Sequence, residues 1–207
     1  MCIRDRVKAS LLHFTEVEVF LPEFFEGIKK AVAECGISDY ELVCVNDGSP
    51  DDSLQYAIEQ KTNFKELVIL DLSRNFGHHY AAHAGISYAS GELIFVIDCD
   101  LEVSPSVLVD FYKKIKSSSA DVVYGYQEKR KGGVVEKNSG GLFWNVFNKL
   151  NDTKVPPNIL TERIFTQRYR EALIKLGDKN LFLAGMYHWT GFTQPRKLLT
   201  TLESIIQ

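Results

Sequence analysis

Leu93-Ile94-Phe95-Val96-Ile97-Asp98-Cys99-Asp100-Leu101-Glu102 is an apolar run that ends in three carboxylates. Five apolar residues in succession, with β-branched members, read as a strand buried on both faces, the habit of a parallel sheet. Alternate residues of an extended chain point the same way, so Asp98, Asp100 and Glu102 are expected to project together from the strand's carboxyl end. Open α/β sheets bind ligands at that end. Three hard oxygen donors suit Mg²⁺ or Mn²⁺, which would in turn hold a diphosphate. Taken alone, the decapeptide also fits a solvated strand end with ordinary acidic residues. The flanking sequence decides against that.

Upstream, Leu21, Phe24, Phe25, Ile28, Ala31, Val32 and Cys35 fall on one helical face, with Pro22 in the first turn and Gly36 as the stop. Leu11, Leu12 and Phe14 are a weak strand candidate before it. Glu41 to Val45 is a short apolar strand, followed by the polar turn Asn46-Asp47-Gly48-Ser49-Pro50-Asp51-Asp52-Ser53 and a helix through Lys61. Leu67 to Leu72 is the next strand. It leads into Ser73-Arg74-Asn75-Phe76-Gly77 and an alanine-rich helix from His79 to Ala89, in which Ala81, Ala82, Ala84 and Gly85 permit close packing on a sheet.

Downstream, Ser104 and Pro105 signal a helix with Leu108, Tyr112 and Ile115 inward, and Asp121 to Tyr126 is a further strand. The alternation of strand and helix predicts an α/β fold with a doubly wound, mostly parallel sheet and helices on both faces. After Tyr126 the character changes. Glu128-Lys129-Arg130-Lys131-Gly132-Gly133 is a basic loop, and Leu142, Phe143, Val146, Phe147 and Leu150 make an apolar helical stripe beside Trp144. A strand near Arg163 to Thr166 and a helix from Tyr169 to Leu176 follow. The tail from Lys197 to Gln207 offers no closing element.

The 207 residues suffice for one sizeable α/β domain, and a formal charge of −3 gives no reason to expect nucleic acid as a partner. No run of eighteen apolar residues is present to span a membrane. The four cysteines, Cys2, Cys35, Cys44 and Cys99, lack Cys-x-x-Cys spacing. Cys44 and Cys99 lie in expected buried strands, which favours free thiols in a reducing compartment. Met1-Cys2-Ile3-Arg4-Asp5-Arg6 looks like a translated sequencing-library adapter, so residues 1–6 are set aside as an artefact and the natural start is expected to be missing.

Three polar turns, Asn46 to Ser49, Ser73 to Gly77 and Asp98 to Glu102, follow three strands and would share one edge of a parallel sheet. Gly48 and Gly77 would let backbone N–H groups approach a phosphate. Asp47 would accept from a nucleobase N–H or ribose hydroxyl, and Arg74 would neutralise part of a diphosphate. The Gly-x-Gly-x-x-Gly of a dinucleotide site and the P-loop pattern are both absent from the sequence. His79 and His83 sit one helical turn apart beside His78 and invite a zinc reading. Nothing nearby supplies third and fourth ligands, so a packed or phosphate-facing helix start is preferred.

Val45 to Ser53, Leu72 to His79 and Ile97 to Glu102 together resemble the inverting family 2 glycosyltransferases, with the polyprenyl-phosphate branch (dolichol-phosphate mannosyltransferase-like and bactoprenol glucosyltransferase-like enzymes) as the nearest likeness. The similarity runs from about residue 17 to residue 195. It implies a GT-A fold over residues 7–196. Asp98 would contact nucleotide and metal, with Asp98, Asp100 and Glu102 holding Mg²⁺ or Mn²⁺ and Asp100 counted as catalytic. Glu16, Asn46, Asp47, Gly48, Ser49, Arg74, Asn75, Gly77 and Asp98 would form the nucleotide-sugar site. Arg130 and Lys131 correspond to a basic loop near the acceptor phosphate, and Arg163 to an arginine serving both acceptor and catalysis.

Two departures stand out. Asn46 replaces an aspartate often seen there, and Thr161-Glu162-Arg163 stands where Asp-Phe-Arg is usual. No catalytic base is assigned. The resemblance implies an inverting, metal-dependent hexosyltransferase that uses a UDP- or GDP-sugar and a polyprenyl phosphate in cell-envelope glycan synthesis. An ionised phosphate acceptor needs no general base, so in-line positioning, the metal and arginines would carry the reaction. The enzyme is expected at the cytoplasmic face of the membrane. Residues 197–207 would lead toward a membrane anchor outside this chain, itself soluble. The stripe Leu142 to Leu150 fits a membrane surface or a core-facing helix equally. Two alternatives stay open: a family 2 enzyme acting on a saccharide or polymer hydroxyl, and a non-catalytic nucleotide-sugar-binding fragment.

Overall fold

The computed structural model describes residues 6–12, 17–127, 149, 156, 158–178 and 180–199. Glu16, Arg130 and Lys131, the basic loop, and the stripe residues Leu142, Phe143, Trp144, Val146, Phe147 and Leu150 lie outside them.

The apolar run forms strand β4 (Leu93–Asp98), with residues 93–97 buried as expected for a strand covered on both faces. It pairs in parallel with β1 (Arg6–Leu12), which pairs in parallel with β2 (Asp39–Asn46), and β2 pairs likewise with β3 (Leu67–Asp71). On its other side β4 meets β6 (Ile159–Thr166), which runs antiparallel to it and to β5 (Val122–Tyr126). β7 (Arg196–Leu198) adds in parallel beyond β5, giving the order β3-β2-β1-β4-β6-β5-β7 across seven strands. Among the described strands, only β6 runs against the rest.

Helices cover both faces. Against one lie α1 (Leu21–Glu34) and α4 (Val107–Lys116), whose Phe24, Phe25, Ile28, Leu108 and Phe111 share a core with Phe95 and Ile97 of β4. A Cβ at Gly27 would come within 2.9 Å of the Pro105 ring, so α1 meets the segment leading into α4 where only hydrogen fits. Against the other face lie α3 (His78–Tyr88), α5 (Gln167–Lys175) and α6 (Leu183–Trp189), packing Ala82, Ile86, Tyr169, Leu173, Met186 and Tyr187 on Ile94, Val96 and Phe165. α2 (Ser53–Lys61) lies beside β3.

Several expectations are corrected. β1 begins at Arg6 and ends at Leu12, earlier than the apolar residues suggested, because alternating charged and polar positions hid a strand paired on both edges. Arg6 therefore belongs to a strand. Helix α4 starts after Ser106 rather than Ser104. β6 is twice the expected length, and α6 and β7 were not foreseen: seven- and three-residue elements are too short to display a period. β7 adds to the sheet beside β5. Cys44 and Cys99 are buried free thiols and Cys35 is a half-buried one.

Candidate active site

The carboxyl ends of β2, β3 and β4 lie along one edge, with Asn46 opposite Asp71 and Asp98 opposite Leu12. Asn46 links two of these ends: its Nδ2 donates to Asp71 Oδ1 at 2.7 Å, and its Oδ1 accepts from Ser49 N–H at 3.1 Å. Asp47 is fully buried and joins the first two turns. Its Oδ1 accepts from Phe76 N–H (2.7 Å) and its Oδ2 from Gly77 N–H (2.8 Å).

Asp47 thus has a structural task beside the nucleotide contact expected of it. Its oxygens hold the 73–77 turn, and the Gly77 N–H expected to meet a phosphate is occupied by it. Gly48 has a φ of +69°, and a Cβ there would lie 2.7 Å from Asn75 N, so the glycine lets two turns touch. Arg74 and Asn75 are exposed on the second turn. The Arg74 guanidinium lies 4.0 Å from the Phe76 ring centroid, and its Nη1 donates to the Asn75 carbonyl at 2.8 Å.

The acidic stretch also departs from expectation. β4 ends at Asp98, and Leu101 adopts a left-handed φ of +58°, so side chains no longer alternate beyond the strand. Asp100 and Glu102 are exposed, and Asp100 Oδ1 accepts from Glu102 N–H at 2.9 Å. Among the described residues, no three His, Cys, Asp or Glu side chains converge on a point that could hold a metal ion.

What the sequence missed is Glu162. It is 4% exposed, and its Oε2 has no hydrogen-bond partner among the described residues. Burial pushes its carboxyl up to about 7, helped by the charges of Asp100 and Glu102 and opposed by Arg163. Asp98 rises well above the usual carboxylate range, first through burial, then through the charges of Glu162 and Asp100, against a hydrogen bond from Thr161. Asp98 Oδ1 is likewise buried and unpartnered. A buried carboxylate oxygen without a partner is costly, and a proton or a cation relieves it. The donors are all hard oxygens, so the set fits Mg²⁺ or Mn²⁺ in kind. The signal was readable in part: Glu162 directly precedes the arginine already singled out.

Antiparallel pairing brings β6 to this edge. Val96 stands opposite Arg163, which places the start of β6 at the end of β4. Arg163 is 2% exposed, with Nε donating to the Thr161 carbonyl (2.8 Å) and Nη2 to the Leu160 carbonyl (2.9 Å). Its guanidinium carbon is 3.4 Å from the Tyr187 ring centroid. Arg163 and Tyr187 line a cavity of about 90 Å³ with His78, His79 and Thr161. Burial lowers the pKa of both His79 and His83. His79 packs edge-on to Phe182, and His83 Nδ1 lies 3.4 Å from Ser87 Oγ, an arrangement that gives the zinc reading no support.

Comparison with solved structures defines the fold. The mannosyltransferase PcManGT from Pyrobaculum calidifontis, solved with GDP-Man and Mn²⁺, superposes with a TM-score of 0.64 at 16% identity, covering 95% of this chain and 56% of that one. S. aureus TarS 1-349 with UDP-GlcNAc gives 0.56 at 17% identity, covering 94% and 56%. The fold is the GT-A α/β fold of glycosyltransferases. Residues 13–177 match Glycosyl transferase family 2, and the chain belongs to that family.

Among relatives, the uncharacterized glycosyltransferase YkcC of Bacillus subtilis is 33% identical over 178 residues, 86% of this chain and 54% of its own length. The bactoprenol glucosyl transferase of Shigella phage SfV is 26% identical over 178 residues, 86% and 57%. The chain spans about half the length of the curated relatives it matches.

Proposed function

We propose that the protein is an inverting glycosyltransferase that moves a hexose from a UDP- or GDP-linked donor to a polyprenyl phosphate, as part of cell-envelope glycan assembly beside a membrane. The observation that carries this reading is the meeting of β4 and β6. Buried carboxylates wanting a cation and a buried arginine with a free nitrogen stand on neighbouring strands at one sheet edge. That arrangement serves a reaction that must hold two anions together.

In this reading Asp98, Asp100 and Glu102 are the residues that would hold Mg²⁺ or Mn²⁺, drawing together from the positions they take here. A bound cation would supply charge stabilisation for a departing nucleoside diphosphate. Asn46 and Asp47 keep the first turn fixed, Gly48 lets the second turn seat against it, and Ser49, Arg74, Asn75 and Gly77 border the nucleotide, with Glu16 at the base. Arg163, with Arg130 and Lys131, draws in the acceptor phosphate. Such an acceptor is already ionised, so these residues need only align it in line with the anomeric carbon and screen the repulsion between the phosphates. The bactoprenol glucosyl transferase relatives and the GDP-Man and Mn²⁺ bound in the structural neighbour agree with this reading.

No helix among the described residues is long and apolar enough to cross a membrane.

A second reading rests on Glu162. A buried carboxyl held at about 7 is what a general base for a neutral hydroxyl requires. A saccharide acceptor would then replace the lipid phosphate. One screen separates the two: nucleotide sugars with Mn²⁺, offered with a short polyprenyl phosphate or with oligosaccharides. A lipid-linked sugar, with Glu162→Gln keeping most of the rate, supports the first reading. A glycosylated saccharide whose formation collapses in Glu162→Gln supports the second. Donor binding with neither product points to a nucleotide-sugar-binding fragment.

A further inference from the structure

The cavity beside Arg163 holds more unsatisfied polar atoms than the arginine alone. Arg163 Nη1, the Tyr187 hydroxyl and His79 Nδ1 are all buried, all belong to residues lining this cavity, and all lack a hydrogen-bond partner among the described residues. Arg163 and Tyr187 are each 2% exposed. An orphaned buried polar group costs on the order of 1–3 kcal/mol, so three around one space are unusual unless something fills it. About 90 Å³ has room for about three waters, the scale of one tetrahedral oxyanion.

The surroundings are built to keep these groups where they are. Nε and Nη2 of Arg163 are tied to carbonyls of their own strand, which leaves Nη1 as the free prong of the fork. The Tyr187 ring sits under the guanidinium, and the Tyr187 carbonyl accepts three hydrogen bonds: from the Tyr169 hydroxyl (2.7 Å), Thr190 Oγ1 (2.9 Å) and Gln194 Nε2 (2.5 Å). α6 is thereby fixed at the residue whose ring carries the arginine. Burial pushes the Tyr187 phenol up to about 12, so its hydroxyl stays a donor at neutral pH.

We propose that Tyr187 is a positioning and specificity residue for a phosphate-type oxyanion: its ring seats Arg163, and its hydroxyl joins Arg163 Nη1 and His79 Nδ1 around the same anion. This rests on the reading of Arg163 as the acceptor-phosphate group and extends it to Tyr187 of α6, with His79 of α3 on the same cavity. The shared chemistry is a tetrahedral phosphate, free or at the end of a lipid.

The test is calorimetric titration of the 207-residue chain, its Tyr187→Phe variant and its Tyr187→Leu variant with inorganic phosphate, a short polyprenyl monophosphate, and a nucleotide sugar with Mn²⁺. Melting curves accompany each protein. Tyr187→Phe keeps the ring and loses only the hydroxyl. It is expected to weaken both phosphate probes about fivefold, the worth of one hydrogen bond, and to leave nucleotide-sugar affinity within about twofold. Tyr187→Leu also unseats Arg163 and is expected to weaken the phosphate probes further. Tyr187→Phe binding both probes like the unaltered chain overturns the proposal, as does equal loss of all three ligands or no phosphate binding by the unaltered chain. If the chain binds polyprenyl phosphate while Tyr187→Phe is indifferent, the acceptor reading survives and this inference fails. If inorganic phosphate binds through Tyr187 and the lipid phosphate does not bind, the oxyanion site stands and the lipid acceptor falls.

Discussion

Asp47 and Glu162 are both buried carboxyls, and their surroundings give them opposite characters. Asp47 is satisfied by two backbone N–H groups that cross from one turn to the next. An amide has one oxygen where a carboxylate has two, so Asp47→Asn would abandon one donor and present an NH₂ to it. The expected loss is about 1–3 kcal/mol of stability, measured by urea denaturation, with weaker nucleotide-sugar binding because the 73–77 turn loses its anchor. Unchanged stability would mean that the two bonds do not hold the turn. Glu162 carries the reverse signature. Its folded-state carboxyl sits at about 7 against an ordinary 4.5. Below pH 4.5 both folded and unfolded chains hold the proton. Between 4.5 and about 7 the unfolded chain has released it while the folded chain keeps it, so this group's contribution to stability falls as pH rises. The full penalty, on the order of 3 kcal/mol, is reached above pH 7. Glu162→Gln removes the group. In EDTA its melting temperature should therefore match the unaltered chain near pH 4.5 and exceed it progressively up to pH 7. A constant offset across that range would contradict the assignment.

Among the elements, the turns show packing that their sequence did not announce. The position a Cβ would take at Gly48 is filled by the backbone of residues 74 and 75. Gly48→Ala combines a left-handed φ with a Cβ placed 2.7 Å from a backbone nitrogen, and neither can relax without parting the two turns. A destabilisation of about 1–3 kcal/mol is expected, with loss of donor affinity. Thermal melting and nucleotide titration would check it, and a neutral variant would show that the turns tolerate separation. α1, β2, β3, β4 and α4 were legible because long periodic or continuous apolar stretches announce themselves: six of the seven residues assigned to the α1 face are buried, with Cys35 half-buried. Alternation along Asp98 to Glu102 was over-extended because nothing in those residues marks where the strand stops and Leu101 turns left-handed. α6, with its Tyr187, was invisible for a different reason. A seven-residue helix held in place by partners distant in sequence carries no local period.

At the scale of the molecule, one antiparallel strand decides what the site contains. In a wholly parallel sheet the start of β6 would lie at the opposite edge, and Arg163 and Glu162 would be far from Asp98. Pairing distant in sequence sets this, so the sequence could nominate Arg163 but could not bring Glu162 to the carboxylates. The same layout divides labour. In the proposed reading the parallel strands β2, β3 and β4 would present the nucleotide-side turns and β6 the acceptor-side arginine, so damage to one half should leave the other's binding intact. Arg163→Lys tests this while keeping a charge. Lysine cannot reproduce a fork tied at Nε and Nη2 and seated on Tyr187, so the oxyanion contact should be misplaced rather than erased. Donor affinity in Mn²⁺, read by titration with UDP- or GDP-sugars, is expected to stay within about twofold. Transfer from the same bound donor should fall on the order of 100-fold, the scale seen when one preorganised charge contact to a reacting centre is lost. If donor affinity and transfer fell together by the same factor, Arg163 would belong to the donor side, and the division of the site between parallel and antiparallel strands would have to be abandoned.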